Sequence, residues 1–125
     1  MKQENIIQAK SYEFAIKVVA LYRFLSEEKR EYVFSKQLLR AGTSIGANVE
    51  EGIGGQSAKY FFAKLNIAYK EARESHYWLR ILKDTGYLEV QKATEYINDC
   101  DELLRIIGSI IKTMKTKLRI DIPNS

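Results

Sequence analysis

The sequence predicts an all-α protein: a single antiparallel four-helix bundle that associates with copies of itself. The only proline is Pro123, and three of the seven glycines lie between residues 52 and 55, so long segments contain no helix breaker. Within those segments apolar residues recur at alternating steps of three and four, which is typical of a helix with one buried face. The third segment is apolar on two opposite faces, and this second apolar face predicts oligomerisation.

Size and composition favour one domain that spans residues 1–125. The chain has 125 residues, of which 46% are hydrophobic and 29% charged, an ordinary globular balance. Its single cysteine cannot form an internal disulfide, and no Cys and His spacing for zinc is present, so we expect a reducing, cytoplasmic location. No secretory signal is visible, and the longest apolar run, residues 18–22, is far shorter than the roughly 20 residues that a membrane span requires. We therefore expect no membrane insertion.

The first two helices are expected at about residues 5–26 and 35–51. The first has a buried row spaced by four, three and four, formed by Phe14, Val18, Leu21 and Leu25. Charged residues 27–31 form the connection, and Ser35 is a plausible N-cap for the second helix. The inward positions of that helix are Leu38, Ala41, Ile45 and Val49, and the glycines at 52–55 end it.

The last two helices are expected at about residues 57–85 and 91–118. Ser57 is the predicted N-cap of the third helix, and Gly86 offers the left-handed position that ends it. Its predicted core row is Phe61, Leu65, Ala68, Ala72, Ser75, Leu79 and Leu82. The predicted row of the fourth helix is Ala93, Ile97, Cys100, Leu104, Ile107, Ile111, Met114 and Leu118. Short loops between successive helices favour an up-down-up-down order.

The second face of the third helix is the predicted oligomer interface. It consists of Tyr60, Ala63, Ile67, Lys70, Glu74, Tyr77 and Ile81, and five of these seven residues are apolar. Trp78 lies on its flank, and Tyr and Trp are enriched where subunits meet. The interface residues are therefore predicted to be Tyr60, Ile67, Tyr77, Trp78 and Ile81. The alternative is that scattered exposed tyrosines are harmless and the N-terminal arm covers the rest.

All of the excess positive charge lies at the C-terminal end. Residues 1–102 contain 15 basic and 15 acidic side chains, whereas the net charge of the whole chain is +4. The basic residues beyond them are Arg105, Lys112, Lys115, Lys117 and Arg119, against Asp121 alone. Two interpretations stay open: these cations complement the helix dipole, or they contact the phosphates of RNA or DNA.

The residues needed for catalysis or for a cofactor do not occur in the required patterns. Neither glycine group is followed by Lys and Ser or Thr at phosphate-loop spacing. A di-iron bundle needs a Glu three residues before a His on each of two helices, but the only histidine is His76 and Arg73 precedes it by three. Ser75 and Glu74 adjoin His76 and point in other directions, so they cannot form a triad. Cys100 is expected to be an inert core residue, and we expect neither enzymatic activity nor a cofactor.

Three strings connect the chain with a known family. They are Val33-Phe34-Ser35-Lys36-Gln37-Leu38-Leu39-Arg40, residues 43–52 (Thr-Ser-Ile-Gly-Ala-Asn-Val-Glu-Glu-Gly), and Tyr77-Trp78-Leu79. They resemble the four-helix-bundle family first associated with open reading frames in intervening sequences of bacterial 23S ribosomal RNA. The resemblance implies a ring-like pentamer. A related branch is the accessory protein of diversity-generating retroelements, so the resemblance also implies nucleic acid or a reverse transcriptase as a partner.

The family pattern marks a polar track on the second helix, formed by Gln37, Arg40, Ser44, Asn48 and Glu51. Gln37, Ser44, Asn48 and Glu51 are spaced seven, four and three residues apart and therefore share one face of the helix. The track either forms hydrogen bonds between helices or subunits, or contacts an RNA or protein partner.

The resulting interpretation is a non-enzymatic homo-oligomer that binds nucleic acid or a nucleic-acid enzyme. The alternative is a protein-interaction scaffold without affinity for nucleic acid.

Overall fold

A computed structural model describes residues 2–118 of the chain. Over these residues it contains four α-helices and no strand, which confirms the all-helical class. The helices are α1 (Lys2–Glu27), α2 (Phe34–Ile53), α3 (Ala58–Asp84) and α4 (Val90–Lys117). Thus α1 begins nearer the N-terminus than residue 5, and α2 continues beyond residue 51 to Ile53.

Each helix packs against two neighbours, so the four helices surround a common axis in the order α1, α2, α3, α4. Within residues 2–118, α2 packs against α1 and α3, and α4 packs against α3 and α1, whereas the diagonal pairs do not touch. The α1–α4 contact is the least extensive. It is also polar: Lys10 pairs with Glu102 at 3.3 Å, and Lys17 pairs with Asp99. The core therefore lies on the axis of the bundle, and each helix has an outer face that no other helix covers.

The core of the first three helices follows the predicted rows. All seven predicted positions of α3, from Phe61 to Leu82, are buried. The predicted inward residues of α1 and α2 are buried as well: Phe14, Val18, Leu21, Leu25, Leu38, Ala41, Ile45 and Val49. Spacing was sufficient here because the predicted rows of these helices are not flanked by a second apolar row as on α4.

The buried row of α4 differs from the prediction. The buried residues are Ala93, Tyr96, Cys100, Leu103, Ile107, Ile110, Ile111 and Met114. The predicted core residues Ile97, Leu104 and Leu118 are only partly buried. Two apolar rows lie side by side on this helix, so periodicity could not choose between them. Tyr96 belongs to the buried row, where its hydroxyl donates to the carbonyl oxygen of Lys17 at 3.0 Å and so keeps a partner.

The helix ends are capped by local hydrogen bonds. Ser57 accepts from the backbone N–H of Tyr60 at 3.1 Å, as predicted, and Gly86 has φ +85° just after α3. The prediction that Ser35 caps α2 is wrong. The cap is the buried Glu31 carboxylate, which accepts from the N–H groups of Val33 and Phe34 at 2.9 Å and of Ser35 at 2.7 Å. The sequence did not indicate this because Glu is an uncommon capping residue.

Two glycines allow α1 and α2 to approach closely. A Cβ at Gly42 would lie 2.9 Å from both methyl carbons of Val18, and one at Gly46 would lie 3.3 Å from the Ser11 carbonyl oxygen. The Gly-x-x-x-Gly spacing of Gly42 and Gly46 thus serves helix packing.

Replacing Glu31 by Gln should lower the free energy of unfolding by about 2 kcal/mol. A single amide oxygen cannot accept all three N–H donors, and at least one buried donor is left without a partner. Urea unfolding monitored by circular dichroism measures the change.

The matched control is Glu28→Gln, because Glu28 is exposed and its carboxylate makes no hydrogen bond or ion pair with residues 2–118. We expect this control to stay within about 0.5 kcal/mol of the wild type. Equal effects of the two substitutions would contradict the capping role of Glu31.

The buried Cys100 should make stability fall at alkaline pH. Burial, followed by the nearby carboxylates of Asp101 and Asp99, raises the pKa of the Cys100 thiol to about 12. The unfolded thiol releases its proton at a lower pH than the folded one, so the stabilising contribution is present at neutral pH and is lost as pH rises from about 9 toward 12. At pH 10 the expected loss from this group is about 1.5 kcal/mol.

Urea unfolding of the wild type and of Cys100→Ala, each at pH 7 and pH 10, tests this expectation. The variant lacks the thiol, so its loss between the two pH values should be smaller by that amount. Identical losses in the two proteins would show that the thiol does not contribute.

Candidate assembly and nucleic-acid surfaces

The outer side of α3 presents the predicted interface residues to solvent only in part. We use the name α3 face for Tyr60, Ala63, Ile67, Tyr77 and Ile81. Tyr60 is 42% exposed, Ile67 39% and Tyr77 49%, whereas Ile81 is half-buried. Charged residues around Lys70 separate the two ends of this face. The face is therefore two apolar patches on one helix.

Trp78, the fifth predicted interface residue, is held within the chain. Its ring stacks on Phe34 of α2 with the centroids 5.9 Å apart, and it meets Tyr77 edge-on at 5.2 Å. The indole N–H donates to Glu74 at 3.0 Å. This hydrogen bond, followed by the guanidinium of Arg40, lowers the pKa of Glu74. Trp78 thus fixes the position of Tyr77, and only part of its own surface remains for a partner.

The polar track lies along the line where α2 meets α3. Arg40 donates to both carboxylate oxygens of Glu71 at 3.3 Å and also pairs with Glu74. At the other end of the track, Glu51 pairs with Lys64 of α3 at 2.8 Å. These contacts agree with hydrogen bonding between helices.

The other three residues of the track do not reach α3. The Ser44 hydroxyl donates to the Arg40 carbonyl oxygen at 2.6 Å, and the Asn48 amide donates to the Ser44 carbonyl oxygen at 2.8 Å. Gln37 is exposed, and its side chain forms no hydrogen bond with residues 2–118. Of the five track residues, Gln37 is therefore the one whose side chain makes no hydrogen bond within the described part of the chain.

The predicted nucleic-acid-binding residues lie on the C-terminal half of α4. Arg105, Lys112 and Lys117 are exposed and Lys115 is half-buried, whereas Arg119 lies outside the described residues. Arg105 and Lys112 are seven residues apart and share the outer face of α4, while Lys115 and Lys117 project to either side of it. We call these four described residues the α4 cations. None of them pairs with a carboxylate among residues 2–118, unlike Lys10, Lys17, Arg40 and Lys64.

A family model described as 23S rRNA-intervening sequence protein matches residues 3–109 of the chain. The chain belongs to this family. It is also similar to the crystal structure, at 1.70 Å resolution, of a protein of unknown function from the S23 ribosomal protein family of Bacteroides thetaiotaomicron. The two are 47% identical with a TM-score of 0.86, and the match covers 88% of this chain and 98% of the other. No curated protein is similar to the chain in sequence.

The most exposed large apolar side chains within a helix interior lie on α1, for which no interface was predicted. Tyr12 is 65% exposed and Ile16 is 56% exposed, more than Tyr60, Ile67 or Tyr77 on α3. Together with the exposed Ala9 and Ala20 they form a row that we call the α1 face. Their spacing of three, four and four was visible in the sequence. It was overlooked because only the buried row of this helix was traced.

Basic residues on the outer side of α3 were also missed. Lys59, Lys70, Arg73 and Arg80 are exposed and have no carboxylate partner among residues 2–118. Arg80 instead lies over the Tyr77 ring, 5.7 Å from its centroid. These cations surround the α3 face and escaped notice because acidic residues balance them in the overall charge count.

His76 and Cys100, the side chains most suited to chemistry, are engaged in contacts within the fold. Residues 2–118 contain no group of three His, Cys, Asp or Glu side chains that could hold a metal ion. His76 pairs with Asp101 at 3.0 Å, and Cys100 donates to the carbonyl oxygen of Ala72 at 3.1 Å, so both side chains have structural partners.

An open pocket of about 460 Å³ lies at one end of the bundle, between the α2–α3 loop and the end of α4, with mainly apolar walls. None of the helices within residues 2–118 is long and apolar enough to cross a membrane.

Proposed function

We propose that this intervening-sequence protein is a non-enzymatic cytoplasmic protein that assembles into a homo-oligomer and contacts RNA or DNA, or an enzyme acting on nucleic acid. The assembly is taken to be pentameric, as the family resemblance implies. The protomer is taken to be an up-down-up-down bundle. Two side-chain contacts support that order. Gln8, near the start of α1, contacts Glu50, near the end of α2, and Lys64, near the start of α3, pairs with Glu51, near the end of α2.

The observation that carries the assembly is the exposure of Tyr60, Ile67 and Tyr77 on one helix. Exposing aromatic and branched side chains to water costs free energy, and exposed apolar patches often mark a surface that binds a partner. The outer face of α4 provides the contrast, because Asn98, Arg105 and Ser109 occupy it. A second copy that covers the α3 face removes this cost.

The α4 cations support contact with nucleic acid. Between neighbouring helices the cations are neutralised by carboxylates, as in the pairs of Lys10 and Lys17 with α4. The α4 cations keep their full charge, and an oligomer repeats them once per copy. Cations that neutralise phosphates release the counterions condensed on the nucleic acid, and binding of this kind weakens steeply with salt.

A protein-interaction scaffold is the second candidate. The balance of 15 basic and 15 acidic residues over positions 1–102 favours it, because most of the surface then has no net attraction for a polyanion. The salt titration described below separates the two candidates.

Changing Ile67 and Tyr77 together to Asp should dissociate the oligomer without unfolding the protomer. Both side chains are exposed in the protomer, so the charges remain in water there but would be buried in an interface. Light scattering after size exclusion should give several chains per particle for the wild type and one for the variant, with an unchanged circular dichroism spectrum.

The matched control is Asn98→Asp with Ser109→Asp, which adds the same charge to the polar outer face of α4. This control should keep the wild-type particle size. A wild type that sediments as a single chain at micromolar concentration would contradict assembly.

Changing Lys112, Lys115 and Lys117 together to Gln should weaken RNA binding and flatten its salt dependence. If each lysine contacts one phosphate of a single strand, the slope of log K against log salt should become shallower by about 2. Fluorescence anisotropy with a labelled single-stranded RNA across a salt series measures both quantities.

The control triple variant Lys29→Gln, Lys36→Gln and Lys92→Gln removes the same charge from exposed positions near the opposite end of α4. It should keep the wild-type slope. No RNA binding by the wild type at low salt, or equal slopes for both triple variants, would remove the α4 cations as the contact.

A further inference from the structure

The two ends of the bundle core are closed differently. At one end Leu88, in the loop between α3 and α4, packs against the core: it is 3% exposed, and its backbone N–H donates to the carbonyl oxygen of Leu82 at 3.1 Å. At the other end the loop between α2 and α3, residues 54–57, reads Gly-Gly-Gln-Ser and supplies no large apolar side chain. The pocket of about 460 Å³ lies at this second end.

The walls of the pocket include apolar side chains that are incompletely buried. Ile111 and Met114, in the last two turns of α4, are the most exposed residues of the hydrophobic core at 9% and 8%. Met114 lines the pocket together with Phe61 and with Ile53, which is 36% exposed. A further apolar group in the pocket would remove these surfaces from water, and the hydrophobic effect favours that.

The α4 wall of the pocket lies beyond residue 109, where the family match ends. It consists of Ile110, Thr113, Met114, Lys117 and Leu118. Membership of the family therefore assigns no occupant to this pocket, and the occupant has to be inferred from this chain.

The segment that follows α4 has the pattern that the pocket requires. Residues 119–125 come directly after Leu118, which itself lines the pocket, and they read Arg-Ile-Asp-Ile-Pro-Asn-Ser. Charged and apolar residues alternate at positions 119–122, which is typical of an extended segment with one apolar side. Ile120 and Ile122 share that side, and the charged residues 119 and 121 share the other.

The segment is also long enough to reach the pocket. Pro123 disfavours a helical conformation at Ile122. An extended chain advances about 3.3–3.6 Å per residue, so Ile120 and Ile122 reach up to about 7 and 14 Å from Leu118. Neighbouring helix axes lie only about 8–10 Å apart. Pockets of about 300 Å³ already hold drug-sized molecules, so the volume is sufficient for two isoleucine side chains.

We propose that residues 119–122 fold back over this end of the bundle and place Ile120 and Ile122 in the pocket. The segment then closes the second end of the core as Leu88 closes the first. The charged residues 119 and 121 face water, so Arg119 is presented beside Lys117. This contact lies within one chain and does not depend on the proposed assembly.

Cross-linking tests the position of the segment. In a Cys100→Ala background, Ile122→Cys is combined with Ala58→Cys or with Thr113→Cys, because Ala58 and Thr113 are exposed residues that line the pocket. A disulfide requires Cα atoms within about 7 Å of each other. Mild oxidation should therefore give a disulfide within one chain at one or both positions, detected by mass spectrometry after free thiols are blocked.

The control pair is Ile122→Cys with Asn98→Cys, because Asn98 lies about 30 Å from Leu118 along α4 and the segment cannot reach it. This pair should give no disulfide within one chain. Disulfides that form only between chains, or none at either pocket position, would overturn the proposal.

Urea unfolding tests whether the isoleucines are buried. Ile120→Asp with Ile122→Asp should lower the urea midpoint by about 1 M, because two apolar side chains leave the pocket. The matched control, Asn124→Asp with Ser125→Asp, adds the same charge to the same segment and keeps both isoleucines. It should keep the wild-type midpoint. Equal midpoints for the two double variants would also overturn the proposal.

Discussion

The property on which the rest of the structure depends is that each helix can bury only the side that faces the axis of the bundle. With two neighbours per helix and no diagonal contact, the opposite side of each helix is not covered by another of the four helices within residues 2–118. On α4 that side is polar, with Asn98 and Ser109, and needs no cover. On α1 and α3 that side carries exposed large apolar side chains, and the hydrophobic effect favours their burial against another surface.

Ion pairing determines which charges remain for a partner. The cations along the lines of contact between helices are used there, as Lys17 is with Asp99 and Arg40 with Glu71 and Glu74. Free cations consequently lie on outer faces, around Lys70 on α3 and around Lys112 on α4. The net charge of +4 does not show which cations are ion-paired and which are free, because it counts both kinds equally. The distribution of free charge is what a polyanion or a second copy encounters.

Much of the fold could be predicted because the buried apolar residues of a helix recur in the sequence at steps of three and four. The α3 core and the cap at Ser57 followed from spacing and residue type alone. On α4 two apolar rows run side by side, and the spacing of three and four fits both. The hydrogen bond from Tyr96 to the carbonyl oxygen of Lys17 on α1 distinguishes the buried row, and the sequence alone does not show that contact. The α2 cap was missed for a related reason, since Glu31 reaches its donors only through the turn that follows Arg30, where φ is +55°.

The candidate surfaces were harder to predict than the core because exposure depends on how neighbours are arranged. Trp78 reads as an interface residue, yet Phe34 and Glu74 hold it within the protomer. In the proposed oligomer, the exposed Arg105 and Lys112 recur once on each copy. At physiological salt the field of a charge fades over about 8 Å, less than the width of a single helix with its side chains. Each copy would then attract a nucleic acid separately, and affinity would grow with the number of copies that one strand touches.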